Sequence, residues 1–577
     1  MTSFAPANLD ALIAEAMEEW QVPGLAVAVA RDGEPDWAKG YGLRDVEASL
    51  PVTVDTQFIL CSITKSFTAL GLAMLVDEGR LDWLRPARDY LPEFRLRDDV
   101  ATHRVTVRDL LCHHWGMPRH DWVWMTGDFT RAEMFAALRH LEPSEDIRAE
   151  FQYCNLGYVV LGMIAERLSG QSWEAFTRER ILEPLGMIHT GFSHEDLQGA
   201  PDGARPYVLS DRERPGEFVR RRAPLWPISE TPAGGVNASA SEMAKYMRLY
   251  LAKGDFGGAR LVSEGSLKAM QAPRVYTGPS EFAEYGDMHY GLGLGAYSYR
   301  GERVVGHSGG WFGWSTLMSW MPERNCGVTV LTNRAENPLS EIITNAIFDH
   351  VCEKEPVPRL DRHRRRRRAF IADRPADEAV KREARRKDAP RRPLGQYVGE
   401  YAHPAYGRIG IAADGEALHC RFRNMTGALA HRHFDMFEFT EQPEMLWPDN
   451  LGLTFLYDRE GSIDRLSIPL EPRVADIVFR RVASGEALDP AFRALCVGTY
   501  RGGPITHVVA LDADGALTLS PTGQPTYPLL PYRERLFSIR ELEHYRVEFV
   551  VDCEGAPNRI VFHQPDGTFQ AQRVRLG

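Results

Sequence analysis

Apolar and polar positions change their spacing three times along the chain, and each change marks a different kind of element. In "GLAVAVARDGEPDWAKGYGLRD", residues 24–45, two β-prone runs flank Asp32-Gly33, which predicts a hairpin. Beyond Gln57 the spacing becomes helical. Phe67, Leu70, Met74 and Leu75 fall at helical intervals and Gly79 stands where a helix would stop, so a long buried helix is expected from Ser62 to Glu78. Helical patterns broken by Trp- and Pro-rich loops then continue to about residue 290. Strands return in "HYGLGLGAYSYRGERVVGHSGG" and "STLMSWMPERNCGVTVLTN", with a turn at Pro322 to Asn325, and a helix follows near 339–354. Strands at both ends with helices between them predict one sheet closed by distant segments, with a helical lobe inserted.

The pattern changes again after residue 355. Residues 356–393 are rich in Arg, Pro and Ala with interspersed acids, and read as a linker. Its run "RHRRRRR", Arg362 to Arg368, reads as a solvated helix face or connector rather than as a site for an acidic partner. From 394 onward the character is β and an internal repeat is visible. Gly399-Glu400-Tyr401 followed by Asp414-Gly415 and Leu418 is echoed by Gly498-Thr499-Tyr500 followed by Asp514-Gly515 and Leu517. Two small antiparallel barrels or sandwiches are expected, over 394–485 and 486–577.

Composition narrows the function classes. A chain of 577 residues exceeds the about 250–300 over which one core can grow, so several domains are required. No run of about 18 apolar residues is present, which excludes a spanning helix as an expectation. The N-terminus carries Asp10, Glu15, Glu18 and Glu19 where a signal peptide would be apolar, and reads as an amphipathic first helix of a cytoplasmic protein. A net charge of −11 argues against binding nucleic acid. Eight cysteines without a C-x-x-C pair read as reduced core thiols.

Three short stretches carry the candidate chemistry. In Ser62-Ile63-Thr64-Lys65 the helical i, i+3 spacing lets the Lys65 amine meet the Ser62 hydroxyl. A serine hydroxyl needs a base, and burial disfavours a charged lysine, so the pair fits an activated nucleophile. In Tyr153-Cys154-Asn155 the phenol can relay a proton and the amide can bind substrate. The third stretch, Gly306-His307-Ser308-Gly309-Gly310, fits the G-x-S-x-G pattern of a nucleophile elbow. However, a strand rather than a helix follows it, and no later histidine is suitably placed. Read as a strand beside Ser62, it points His307 inward and lets substrate lie close against Gly309 and Gly310.

In this order, Ser62-x-x-Lys65, Tyr153-x-Asn155 and His307-x-Gly309 resemble the motifs of the penicillin-recognising serine hydrolases, and more narrowly the class C β-lactamase-like family. That group includes D-aminopeptidases, alkaline D-peptidases and class VIII esterases. "GYGLRD", "LLCHHWGMPRHDWVW" and "AGGVNASASEMAKYM" add to the likeness, which covers roughly 1–355, and the trailing β domains look like those appended to D-aminopeptidase-type members. The resemblance implies an α/β (α+β) β-lactamase-like domain with an antiparallel sheet and helical lobe. It implies Ser62 as the acylated nucleophile, Lys65 and Tyr153 as coupled base and acid, Asn155 as a substrate-binding amide, and His307 in place of the lysine of a K-T-G motif. Backbone N–H groups of Ser62 and Gly310 would form the oxyanion hole. It implies no cofactor and no metal.

Two departures stand out. Histidine replaces a fixed cation at 307, which makes efficient β-lactam turnover doubtful, and Cys154 replaces a serine inside Y-x-N. His113, His114, His120 and Asp121 match no standard zinc spacing. Trp122, Trp124, Trp311 and Trp314 read equally well as cleft lining or as core. Cys61 reads as a packed thiol. The expected activity is metal-independent hydrolysis of amide or peptide bonds in short or unusual peptides through an acyl-enzyme. Two alternatives stay open, an esterase on the same machinery and a non-catalytic scaffold. The expected partner is a small molecule or short peptide, with neither nucleic acid nor membrane; a homodimer is compatible with the sequence.

Overall fold

The computed structural model describes residues 8–31, 36–126, 128–210, 219–223, 231–383, 392–415, 417–423, 425–439, 451–458, 461–540 and 542–574. The hairpin turn at Asp32-Gly33 lies outside them, but its arms pair as expected, with Leu25 opposite Tyr41 and Val29 opposite Trp37.

Among the described residues, nine strands form the sheet of the first domain: β1 (Gly24–Arg31), β2 (Trp37–Asp45), β3 (Leu50–Pro51), β4 (Val275–Gly278), β5 (Met288–Tyr290), β6 (Gly295–Tyr299), β7 (Glu302–Trp311), β8 (Trp314–Met321) and β9 (Cys326–Thr332). Their order is β4, β5, β6, β7, β8, β9, β1, β2, β3, so the sheet joins the first and last thirds of the domain. The closing seam is the antiparallel β1/β9 pair, Leu25 opposite Thr332 through Arg31 opposite Cys326. β1 explains how the sheet is covered on both faces. Leu25, Val27 and Val29 pack into one apolar cluster with the first helix, α1 (Leu9–Glu19). Ala26, Ala28 and Ala30 belong to the cluster of the helical lobe. Small residues on that face let a helix approach closely, so the strand reads as a continuous apolar run.

Four further helices matter here: α2 (Thr64–Asp77), α3 (Asn155–Ser169), α4 (Ala240–Leu251) and α5 (Leu339–Val351). α2 is buried from Thr64 to Leu75, as a helix surrounded by protein must be. α4 lies on the alanine face of the sheet, and α5 joins α1 on the other.

The arginine-rich stretch forms α6 (Arg359–Glu383). Its cations pair with acids of this same chain. Arg364 meets Glu15 at 2.8 Å and Glu19 at 2.9 Å on α1, Arg362 meets Glu284 at 2.6 Å, and Arg359 meets the buried Asp349 at 2.9 Å. The run is therefore a clamp between helices.

Beyond it, the strands from Gly399 to Arg481 and from Gly498 to Arg573 close into two eight-stranded antiparallel barrels. The sequence repeat has a physical counterpart. The phenol of Tyr401 donates to the Tyr397 carbonyl at 3.0 Å, and that of Tyr500 to the Cys496 carbonyl at 2.9 Å. Each ring faces an arginine of the last strand, Arg481 or Arg573. A Cβ at Gly399 or Gly498 would press on that guanidinium, at 3.0 and 3.1 Å, so the glycine that opens each repeat makes room for its arginine.

Candidate active site

The α-helix starts two residues later than the periodicity predicts. Ser62 lies in a 3₁₀ turn, Cys61–Ile63, that leads into α2, and Cys61 takes a left-handed φ of 52°. Three contacts fix the turn. The Leu60 carbonyl accepts from Thr316 Oγ1 at 2.9 Å, Leu60 N donates to the Val236 carbonyl at 2.8 Å, and Val236 N donates to Thr64 Oγ1 at 3.1 Å. Ser62 thus sits where α2, β8 and the segment around residue 236 converge.

Lys65 is completely buried, and its Nζ donates to Ser62 Oγ at 3.1 Å and to the Ala233 carbonyl at 2.8 Å. The rings of Tyr153 and Tyr158 flank the amine, with centroids at 4.9 and 5.3 Å. The Tyr153 phenol shares a hydrogen bond with the Ser62 hydroxyl, and burial raises its pKa above the usual phenol value. Amine, hydroxyl and phenol therefore meet at one oxygen. Asn155 opens α3, is buried, and keeps Oδ1 without a protein donor among the described residues. Cys154 donates its thiol to the Arg119 carbonyl at 3.7 Å, and burial pushes that thiol up to about 12, so it is a packed neighbour.

The G-x-S-x-G stretch is the middle of β7, with no turn at the serine. Ser308 is an exposed strand residue opposite Leu317. His307 faces the site, but both ring nitrogens are engaged. Nδ1 lies 2.5 Å from the Ser308 carbonyl and Nε2 lies 2.7 Å from the Tyr290 hydroxyl. Since a carbonyl only accepts, Nδ1 carries the proton and Nε2 accepts from Tyr290. Burial, reinforced by the nearby Lys65 charge, drops the His307 pKa to about 3. The position that resembles a cation site is thus neutral at physiological pH.

Gly309 also differs from the expectation. A Cβ there would lie 2.2 Å from the Leu60 carbonyl oxygen and 2.3 Å from Thr316 Oγ1. Its close approach is to the turn that carries Ser62, because that turn docks directly on β7. At Gly310 a Cβ would meet nothing within 4 Å, which leaves this strand position open.

Behind these residues lies a cluster that the motifs do not name. His113 is buried with φ at 56°, accepts the Cys154 N–H through Nδ1 at 3.1 Å, and packs at a tilt against Tyr153 with centroids 4.3 Å apart. Burial holds its pKa well below the usual histidine value. Tyr158 donates to the Leu111 carbonyl at 2.8 Å and is a close neighbour of Tyr290. Tyr158 lies one helical turn after Asn155, so its place was readable from spacing; the place of Tyr290 depends on sheet register.

Among the tryptophans, Trp314 packs in the core against Phe58 and Trp122 against Phe422 of the first barrel, whereas Trp124 and the half-buried Trp311 meet at a tilt with centroids 5.0 Å apart beside Gly310. Among the described residues no three His, Cys, Asp or Glu side chains gather as a metal site.

Comparison with known proteins places this geometry. The family model described as Beta-lactamase matches residues 9–351, and a domain of unknown function matches 383–481. A protein named Unguisins hydrolase ungD' from Aspergillus campestris is 30% identical over 437 residues, covering 70% of this chain and 77% of its own. Protein flp from Staphylococcus aureus is 25% identical over 341 residues, 58% of this chain and 64% of its own. The octameric penicillin-binding protein homologue from Pyrococcus abyssi has the same fold, with a TM-score of 0.55 and 27% identity over 82% of this chain and 99% of that one. With the Beta-lactamase model spanning more than half of its length, the chain belongs to the β-lactamase-like family of serine hydrolases.

Proposed function

We propose that the protein hydrolyses amide or peptide bonds of small or unusual peptides, including those with D-residues, through an acyl-enzyme on Ser62. The observation that carries this reading is the buried Lys65 amine 3.1 Å from Ser62 Oγ, with the Tyr153 phenol on the same oxygen. In its uncharged form Lys65 takes the serine proton as the oxygen attacks the carbonyl carbon. Tyr153 then passes a proton to the leaving amine, and water, activated by the same pair, cleaves the ester. The N–H groups of Ser62 and Gly310 hold the oxyanion, and Asn155 uses its open acceptor for a substrate N–H. A hydrolase name on the 30% identical relative supports the same reaction class.

The neutrality of His307 bears on substrate choice. With no cation at that position and both nitrogens engaged, the site favours uncharged groups over the carboxylate of a β-lactam. The same feature favours a second reading, hydrolysis of neutral carboxylic esters, since an ester is chemically easier than an amide. The test is a screen of D- and L-amino acid amides, short peptides and p-nitrophenyl esters with Ser62→Ala as the blank. Turnover that survives Ser62→Ala, or a fluorophosphonate that labels the variant as well as the parent, would remove the proposal.

A further inference from the structure

The end of the first barrel that faces the catalytic domain presents three of its connections to residues 119–126, 128 and 129. Tyr406 lies between the strands Gly399–His403 and Gly407–Asp414, Arg423 between Ala417–Phe422 and Met425–His433, and Glu471 between Ile463–Ile468 and Ile477–Arg481. In a closed meander these connections share one rim. Arg423 donates to Asp128 Oδ1 at 2.8 Å and lies 3.5 Å over the Phe129 ring.

His120 makes two of these contacts. It is completely buried, and its backbone is left-handed, with φ at 45°. Its N–H donates to Glu471 Oε2 at 2.8 Å. Its Nε2 lies 2.9 Å from the Glu142 carbonyl, which only accepts; Nε2 therefore carries the proton, and Nδ1 accepts from the Tyr406 hydroxyl at 2.7 Å. The barrel supplies both of the long-range bonds beyond residue 142, to the N–H and to Nδ1. A left-handed backbone is uncommon for a non-glycine residue, and here the Glu471 carboxylate of the barrel accepts the N–H of that residue.

The preceding residue faces the other way. The Arg119 guanidinium lies 5.2 Å from the centre of the Tyr153 ring, its Nε donates to Asp121 Oδ2 at 2.5 Å, and its carbonyl receives the Cys154 thiol. A cation held there favours a phenol that must carry developing negative charge.

We propose that the first barrel braces the catalytic site: Tyr406 and Glu471 are positioning residues that fix His120, and thereby keep the Arg119 guanidinium against Tyr153. This rests on the reading of Tyr153 as the proton relay to Ser62. The barrel residues named here bond His120 and not Arg119, which separates the proposal from mere stabilisation.

The test is a double-mutant cycle on the full chain, read as the second-order rate of Ser62 labelling by a fluorophosphonate. Tyr406→Phe should slow labelling about ten-fold, Arg119→Ala should slow it at least as much, and the double variant should label no more slowly than Arg119→Ala alone. Losses that multiply, or a rate unchanged in either single variant, would overturn the brace. If Tyr406→Phe fails to fold, Glu471→Gln takes its place in the same cycle. Labelling that persists in Ser62→Ala would instead overturn the assignment of the nucleophile, so the two failures are distinguishable.

Discussion

Replacing His307 by glutamine should make the catalytic domain less sensitive to acid, and the size of the effect follows from burial. The folded imidazole titrates at about 3 and the unfolded one at the ordinary 6.5. Below pH 6.5 the unfolded chain therefore binds a proton that the folded chain refuses, so this residue's stability contribution falls with falling pH and levels off only below 3. Between pH 7 and pH 5 the loss is about 2 kcal/mol, from about 1.4 kcal/mol per pKa unit. Glutamine keeps an acceptor for the Tyr290 hydroxyl and does not titrate. His113 and His120 also have lowered values and penalise acid in both proteins, so they cancel in the comparison. Urea unfolding at the two pH values, followed by tryptophan fluorescence, reads the right domain, since every tryptophan except Trp447 precedes residue 356. Equal pH dependence in parent and variant would refute the argument, because it would mean that His307 is solvated or paired with an unrecognised acid. The same variant should turn over neutral esters or amides within about ten-fold of the parent, since removing a neutral side chain forfeits no cationic anchor.

The remaining predictions address the other side chains of the site and the arginine clamp. Lys65→Ala and Tyr153→Phe should each slow acylation by about 10²–10⁴, and the double variant by little more than the worse single one, measured as single-turnover burst rates; fully multiplicative losses would mean that the two do not act on one proton. Gly309→Ala, whose Cβ would sit 2.2 Å from the Leu60 carbonyl, should lower Tm by several degrees and slow fluorophosphonate labelling more than ten-fold, whereas Gly310→Ala, which meets nothing, should keep Tm; the reverse ranking in differential scanning fluorimetry would contradict the packing of β7 on the serine turn. Ser308→Ala should label like the parent, since Ser308 is an ordinary strand residue. Arg364→Ala should cost about 1 kcal/mol or less in urea titrations and leave labelling unchanged, because Glu15 is largely exposed and surface pairs are weak.

What could be read from the chain was local, or repeated often enough to make a pattern. The two faces of β1 alternate Leu/Val with Ala, so its burial and its place in a two-sided sheet are written in eight residues. Ser62 and Lys65 are one turn apart, so their meeting needs no tertiary information, even though the serine proved to lie in the 3₁₀ turn ahead of the helix. The opening glycines of the two barrels recur with the same tyrosine, and so does the arginine each must accommodate. What stayed hidden depends on register across the sheet or on single long-range bonds. Tyr290 reaches His307 only because β5 to β7 align, with Tyr290 opposite Gly295 and Gly295 opposite Gly306. The Ser308 carbonyl places the proton on Nδ1, that one hydroxyl takes up Nε2, and burial decides that the ring is uncharged. A histidine in this motif therefore could not reveal its charge from the sequence. The contact between Tyr406 and His120 spans 286 positions with one hydrogen bond and leaves no periodic trace. The Ser62–Lys65 pair is legible because its distance is set within one turn, while the meeting of Tyr153 with that pair, the charge state of the site and its proposed dependence on the barrel are properties of how elements meet. Specificity, which rests on the second kind of fact, can diverge among chains that share every motif of the first kind.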